Sequence, residues 1–407
     1  MLRAMMGFRV IFLLSLLLLS GCSNAGYYAQ AVRGQMSLMW KRQPIEDVLQ
    51  DKSIDSDLRA QLAQVVEIRD FASSDLGLPD NGSYRSYADV GRPYVVWNVF
   101  ATPEFSVDPE TWCFVIVGCV SYRGYFREDR AQRFATSLEE DGKDVYVAGV
   151  TAYSTLGNFD DPVLSTMLYW DDHRLAGLIF HELAHQVLYV KGDTDFSESF
   201  ASFVEEEGVR RWLVSEGRAD DVPEYEASRA RLAAFGELVV RTRERLRTIY
   251  KAGYAESELG ERKRIAFEDM RQEYREMRAG WGDVLAFDAW FERDLNNAHL
   301  ASVAAYRRFV PAFAALLRQQ AGDLDRFYRA VEEIAAKELP ARHRLLLELI
   351  DDKPGGPEPV SVCDVGPRTC VSARRFGEIS SNVAWHRRHP ALAAIGFLAS
   401  AALARAF

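Results

Sequence analysis

His181-Glu182-Leu183-Ala184-His185 constrains this chain more than any other five residues. Positions i and i+4 stack on one face of a helix, so both imidazoles can address a single point. Leu178, Ile179, Phe180, Leu183, Ala184, Val187 and Leu188 surround the motif, and nothing after Gly177 breaks the run from Leu175 to Tyr189. A helix apolar nearly all round is expected to be buried, with Asp171 or Asp172 capping its start. Two imidazoles and a carboxylate inside such a helix are costly unless they have a partner. A zinc ion supplies one, with His181 and His185 as ligands. Glu182, one residue further round, stays outside the ligand set, where it can hold a water and take its proton during attack on a carbonyl. The chain has only 7 histidines, and a chance match to this pattern is roughly one in a hundred. The plainer alternative is a buried helix with hydrogen-bonded core histidines.

A catalytic zinc needs a third protein ligand. Leu188 and Lys191 stand where the metzincin pattern requires Gly and His, so that class is excluded. The chain turns through Gly192-Asp193-Thr194-Asp195 into a second helical run, Phe196 to Glu205, in which Glu198, Ala201, Ser202 and Glu205 share a face. Small residues beside Glu198 permit close approach to the zinc helix, and Glu198 reads as the third ligand. Glu205 or Ser202 then orients a histidine from behind, and Asp195 and Glu205 are the alternative ligands. A structural role for Glu198 is also open, as the partner of Asp195 in a capping box.

The N-terminus sets the compartment. Residues 1–21 read as a secretory signal, with Arg3 and Arg9 ahead of an aliphatic run from Val10 to Leu19. Leu19-Ser20-Gly21-Cys22 resembles the lipobox of bacterial lipoproteins, in which the cysteine carries the lipid. That resemblance implies a lipid-anchored, periplasm-facing protein of the bacterial cell envelope, and Ser23 after the cysteine points to the outer membrane. Of 5 cysteines, Cys22 is then the anchor. Cys113, Cys119, Cys363 and Cys370 remain as disulfide candidates, near-neighbour pairing being the simplest of three connectivities. A net charge of −10, from 49 basic and 59 acidic residues, gives no pull toward nucleic acid.

Four regions follow: the signal at 1–21; N-terminal helices and a small sheet at 22–160; a helical zinc-binding region at 161–352; and a loop with an apolar C-terminal extension at 353–407. Tyr94 to Phe100, Cys113 to Val117 and Asp144 to Val150 read as strands. Within the third region, residues 223–282 read as a long helical hairpin arm. Leu232, Phe235, Val239, Leu246 and Ile249 form one seam and Met270, Tyr274, Met277 and Trp281 the other, broken by Gly253. The hairpin is expected to be solvated and packed on the catalytic body. The Ala-rich tail 390–407 reads as a surface or packing helix. The expected fold is α+β, predominantly helical and zincin-like, with a small, mostly antiparallel sheet.

His181-Glu-Leu-Ala-His185 followed by Glu198-Ser-Phe-Ala201 resembles the gluzincin metallopeptidases, whose third ligand is a Glu on the next helix. More specifically, the chain resembles a bacterial family of zinc aminopeptidase lipoproteins. The lipobox, Tyr122 to Phe126, Ala152 to Leu156, the zinc helix, Asp193 to Ala201 and Leu295 to Ala298 carry that likeness. The resemblance implies a Zn2+-dependent peptidase acting on peptides, with aminopeptidase activity as the leading reading. An envelope endopeptidase, or a non-catalytic structural lipoprotein retaining the zinc helix, is the alternative. It also implies a substrate-pairing strand ahead of the zinc helix, near Ala148 and Gly149. An oxyanion donor is required as well, for which Tyr153 is the first candidate and Tyr122, Tyr189 and His299 follow. Two departures stand out. Only 12 residues separate His185 from Glu198, and the Gly-x-Met-Glu-Asn segment of the major gluzincin aminopeptidases is absent.

Overall fold

Two hydrophobic cores organise the chain. The computed structural model describes residues 26–351 other than 115–117, 153, 156, 158, 283, 285 and 304–306. Cys22, Tyr153, Cys363, Cys370 and the tail 353–407 therefore lie outside the described residues.

The first helix, α1 (26–41), lays Tyr27, Ala31, Gln35 and Leu38 on the body, a spacing of three to four residues that keeps them on one face. A two-residue strand β1 (Gln43–Pro44) leads into α2 (Ile45–Gln50) and α3 (Ser56–Ser74). Asp55 caps α3 by accepting a hydrogen bond from the Asp57 amide at 2.8 Å. The β segment holds β2 (Ser86–Ala88), β3 (Val96–Pro103), β4 (Trp112–Phe114), β5 (Gly118–Val120), β6 (Arg123–Tyr125), α4 (Glu128–Glu140), β7 (Lys143–Val150) and β8 (Val163–Leu164). Their sheets are small: β1-β2-β8, β6-β3-β7 and the hairpin β4-β5. Cys113 and Cys119 face one another across that hairpin and form a disulfide.

Strand β7 pairs with β3 in unbroken antiparallel register from Val150 opposite Val96 to Lys143 opposite Pro103. It is an edge strand, because β3 lies between β6 and β7. Gly149 is required by packing and not by a bulge. A Cβ there would lie 2.5 Å from the Tyr94 ring.

Beyond β8 the chain is helical: α5 (Asp172–Val187), α6 (Thr194–Ser215), α7 (Val222–Lys251), α8 (Glu256–Ala279), α9 (Asp288–Phe291), α10 (Asn297–Ser302), α11 (Val310–Gln319), α12 (Leu324–Ala335) and α13 (Leu339–Asp351). The architecture is α+β and predominantly helical, as the residue patterns predict. None of the described helices is long and apolar enough to cross a membrane.

The larger core packs α3, α5, α6, α11 and α12 against the sheets through Leu62, Phe180, Phe196, Phe200, Phe313 and Phe327. The second belongs to the arm. Phe235, Leu238, Val239 and Leu246 of α7 meet Ala266, Phe267, Met270 and Tyr274 of α8, and Phe287, Trp290 and Phe291 close over them. Phe235 stacks on Phe287 at 4.2 Å, and Tyr274 on Phe291 at 3.9 Å. The arm thus encloses its own aromatic core and does not merely lie on the body.

Helix α10 ties the arm to the sheet. Asn296 caps it by accepting from the Ala298 and His299 amides, and His299 Nδ1 accepts in return from the Asn296 amide at 3.3 Å. Asn296 also donates to the Val145 carbonyl, covering the start of the β7 edge. Asn297 accepts from the Tyr250 hydroxyl and donates to the Glu104 carbonyl. His299 is buried and stacks on Tyr146 at 4.1 Å. Burial, with Arg293 and Arg271 nearby, pushes its pKa down to about 3. The unfolded imidazole titrates near 6.5. Between these values the unfolded chain binds the extra proton, so the contribution of His299 is present above pH 6.5 and is lost as pH falls toward 3. His299→Gln should therefore lose less stability than the native chain between pH 7 and pH 4.5. Urea unfolding at the two pH values checks this, and parallel losses in both proteins would contradict it.

Candidate metal centre

Two antiparallel neighbours, α5 and α6, build the site. Helix α5 is buried from Leu175 to His185. Asp171 occupies its N-cap position but makes no side-chain cap bond, and Asp172 instead pairs with Arg218. The helices can approach because Gly208 of α6 faces Phe180, where a Cβ would come within 2.8 Å of the ring. Ala184 and Ala201 are fully buried in the same region.

The start of α6 differs from the sequence expectation. Asp193, not Asp195, is the N-cap, and its Oδ1 accepts from the Phe196 amide at 3.2 Å. A capping box between Asp195 and Glu198 is therefore excluded. Glu198 lies one turn inside the helix and faces the histidines.

His181, His185 and Glu198 are all buried, and one donor atom from each lies within 4.8 Å of the others. Glu198 Oε2 is 3.5 Å from His181 Nε2 and 3.4 Å from His185 Nε2. Both separations exceed an ordinary N–H···O bond. Tetrahedral zinc with ligands at about 2.0–2.1 Å sets neighbouring donors about 3.3–3.4 Å apart. The donor set therefore suits an ion better than it suits mutual hydrogen bonding. The Nδ1 of His185 is also buried without a hydrogen bond among the described residues.

Glu205 lies two turns beyond Glu198 and reaches the other side of His181. Its Oε2 is 3.1 Å from His181 Nδ1, and its Oε1 is 3.0 Å from Arg229 on α7. Burial raises the Glu205 pKa, but Arg229 and His181 outweigh it and hold the group as a carboxylate. A carboxylate can only accept, so His181 presents a proton on Nδ1 to Glu205 and leaves Nε2 on the side of Glu198 and the ligand group. This is the carboxylate–histidine arrangement that orients a metal ligand. Glu205 is thus placed behind the histidine and not in the ligand group. Asp195, the other alternative ligand, is absent from that group. Ser202 is buried one turn from Glu198, but no hydrogen bond joins it to either histidine among the described residues.

Three carboxylates, Glu182, Glu198 and Glu205, converge on two imidazoles. For Glu198, burial works upward, but His185 and His181 pull its pKa down to about 2. For His181, burial works downward, but Glu198 and Glu205 lift it to about 10. The pocket thus favours positive charge between these groups. Glu182 is buried beside them, and burial raises its pKa against the pull of His181 and His185.

Two further residues carry no sequence signal for this location. Asp161 is buried and accepts from the Thr155 amide at 2.6 Å and from the Thr155 hydroxyl, fixing the chain at Thr155. Burial pushes its pKa up to about 7. Tyr84, fully buried, donates its amide to the Asp161 carbonyl at 2.7 Å and has a left-handed backbone, φ 62°. The other oxyanion candidates are spread out. Tyr189 meets the His185 ring edge-on at 5.7 Å, Tyr122 packs on Phe100, and His299 is spent on the α10 cap.

A family model described as "Putative aminopeptidase" matches residues 26–346. No curated protein and no solved structure matches the chain.

Proposed function

Because the chain belongs to this aminopeptidase family, we propose that it is a zinc-dependent, gluzincin-like peptidase of the bacterial envelope. In this reading His181, His185 and Glu198 hold the ion. The observation that carries it is the convergence of three donors at ligand-like separations, with Glu205 fixing the tautomer of one of them. When bound, zinc supplies Lewis-acid polarisation of the scissile carbonyl and brings the pKa of water toward about 7. Glu182 performs the proton work. Its buried carboxylate accepts a proton from the attacking water and delivers it to the departing amine. The raised pKa of Glu182 places it nearer neutrality, where a group can both take and give a proton. Glu205 and Arg229 hold His181 in place through the cycle.

The free part of the β7 edge is a candidate for main-chain pairing with an extended peptide. Cys22 would carry the lipid and face the protein toward the periplasm, with the outer membrane as its site. The Cys113–Cys119 disulfide supports an oxidising compartment.

The test compares peptides with free and acetylated N-termini, with zinc and with chelator. Cleavage of free peptides alone, abolished by chelator and restored by zinc, is expected. Equal cleavage of acetylated peptides would make the enzyme an endopeptidase, and chelator-resistant cleavage would sink the zinc reading.

A further inference from the structure

The outward face of α1 is unlike the rest of this acidic molecule. Val32, Met36 and Trp40 follow one another at intervals of four residues and so form one stripe along the helix. They are 56, 41 and 79 % exposed. An isolated exposed apolar residue needs no explanation, but three in a line on one helix do. The opposite face of α1 is already used, because Tyr27, Ala31 and Leu38 are buried against the body.

Beside the stripe runs a groove of about 550 Å³ between α1 and the body. Arg33, Lys41, Arg92, Arg127 and Arg130 line it, with no acidic residue among the described lining residues. Arg127 is already paired with Asp129, and Arg92 donates to the Tyr94 and Val95 carbonyls, so Arg33, Lys41 and Arg130 are the exposed cations that face outward. Trp40 and Arg33 border both the groove and the apolar hollow over Val32 and Met36. The chain as a whole carries −10, so three exposed cations along one groove, Arg33, Lys41 and Arg130, run against the overall charge. An apolar stripe with Trp, flanked by cations, is the make-up of a helix that lies in a bilayer interface. The stripe enters the acyl boundary, and the cations meet anionic headgroups.

We propose that α1 docks on the surface of an anionic lipid bilayer, with Val32, Met36 and Trp40 dipping into the acyl boundary and Arg33, Lys41 and Arg130 contacting lipid phosphates. The proposal rests on the lipid-anchor reading in one respect. Cys22 is only four positions before residue 26, so a lipid on Cys22 would hold α1 against the bilayer and make a modest surface affinity sufficient.

The test uses the full chain with vesicles of phosphatidylcholine, alone or mixed with phosphatidylglycerol. Flotation at high salt reports the anchor. Quenching of tryptophan emission by brominated acyl chains, compared between the native chain and Trp40→Phe, reports the docking. The expected result is salt-resistant flotation, with a quenched component on phosphatidylglycerol vesicles that Trp40→Phe removes and that Arg33→Glu with Arg130→Glu diminishes several-fold. Salt-sensitive binding to anionic vesicles that retains the Trp40 component would support docking and sink the anchor. Flotation with equal quenching in native and Trp40→Phe proteins would overturn docking and leave the anchor standing. A second copy of the chain, or residues 390–407, seated on the stripe would give that outcome. Absence of any binding would overturn docking.

Discussion

Glu182→Gln should lower kcat/KM for peptide hydrolysis by about 10²–10⁴-fold, the usual contribution of a positioned general base. The substitution keeps the size and burial of the side chain and removes its negative charge and with it the capacity to take a proton. Zinc content should stay at the native level, because Glu182 is outside the ligand group of His181, His185 and Glu198. Melting temperature should change little, because no ion pair of Glu182 is lost. A variant that cleaves as fast as the native enzyme would remove Glu182 from the mechanism. Lost activity accompanied by lost zinc would show a structural role.

Arg342→Met should destabilise the folded chain by about 3–5 kcal/mol, the cost of removing one partner of a buried ion pair. Arg342 on α13 reaches Asp193 Oδ2 at 2.6 Å, with side-chain exposures of 8 and 3 %. Its other amino group donates to the Ala335 and Lys337 carbonyls at 2.9 and 2.7 Å. His343 also contacts Asp193 at 3.0 Å, which places the expected loss toward the lower end. Asp193 is the cap of the helix that carries Glu198. The effect should therefore reach the site, as a weaker zinc affinity alongside the lower melting temperature. An unchanged melting temperature would show that His343 alone satisfies the buried carboxylate.

What could be read from sequence was what depends on local geometry. The i, i+4 relation fixes His181 and His185 on one face whatever surrounds them. Glu198 and Glu205, seven residues apart on one helix, have to share a face in the same way. The start of α6 was not legible, because Asp193 outcompetes Asp195 through Arg342 and His343, 149 and 150 residues further on. The ion pair between Glu205 and Arg229 is equally non-local. The sheet β1-β2-β8 is made of strands of two or three residues, too short for alternation to register. Tyr84 and Asp161 come near enough to Glu182 to feel its charge, and these short strands and their connections bring them there. The arm's seams were readable from their spacing. Their second function, enclosing a core with Phe287, Trp290 and Phe291, depends on a short helix that periodicity does not reveal.

On the proposed reading, His181, His185 and Glu198 together hold one zinc ion. Equilibrium titration of metal-free full-length protein with zinc, read by calorimetry and metal analysis, tests it most directly. One zinc per chain is expected for the native protein, with an affinity at least about 10²-fold lower when a ligand is lost, as in His185→Ala or Glu198→Ala. No stoichiometric zinc binding, or equal affinity in the native and His185→Ala proteins, would contradict it.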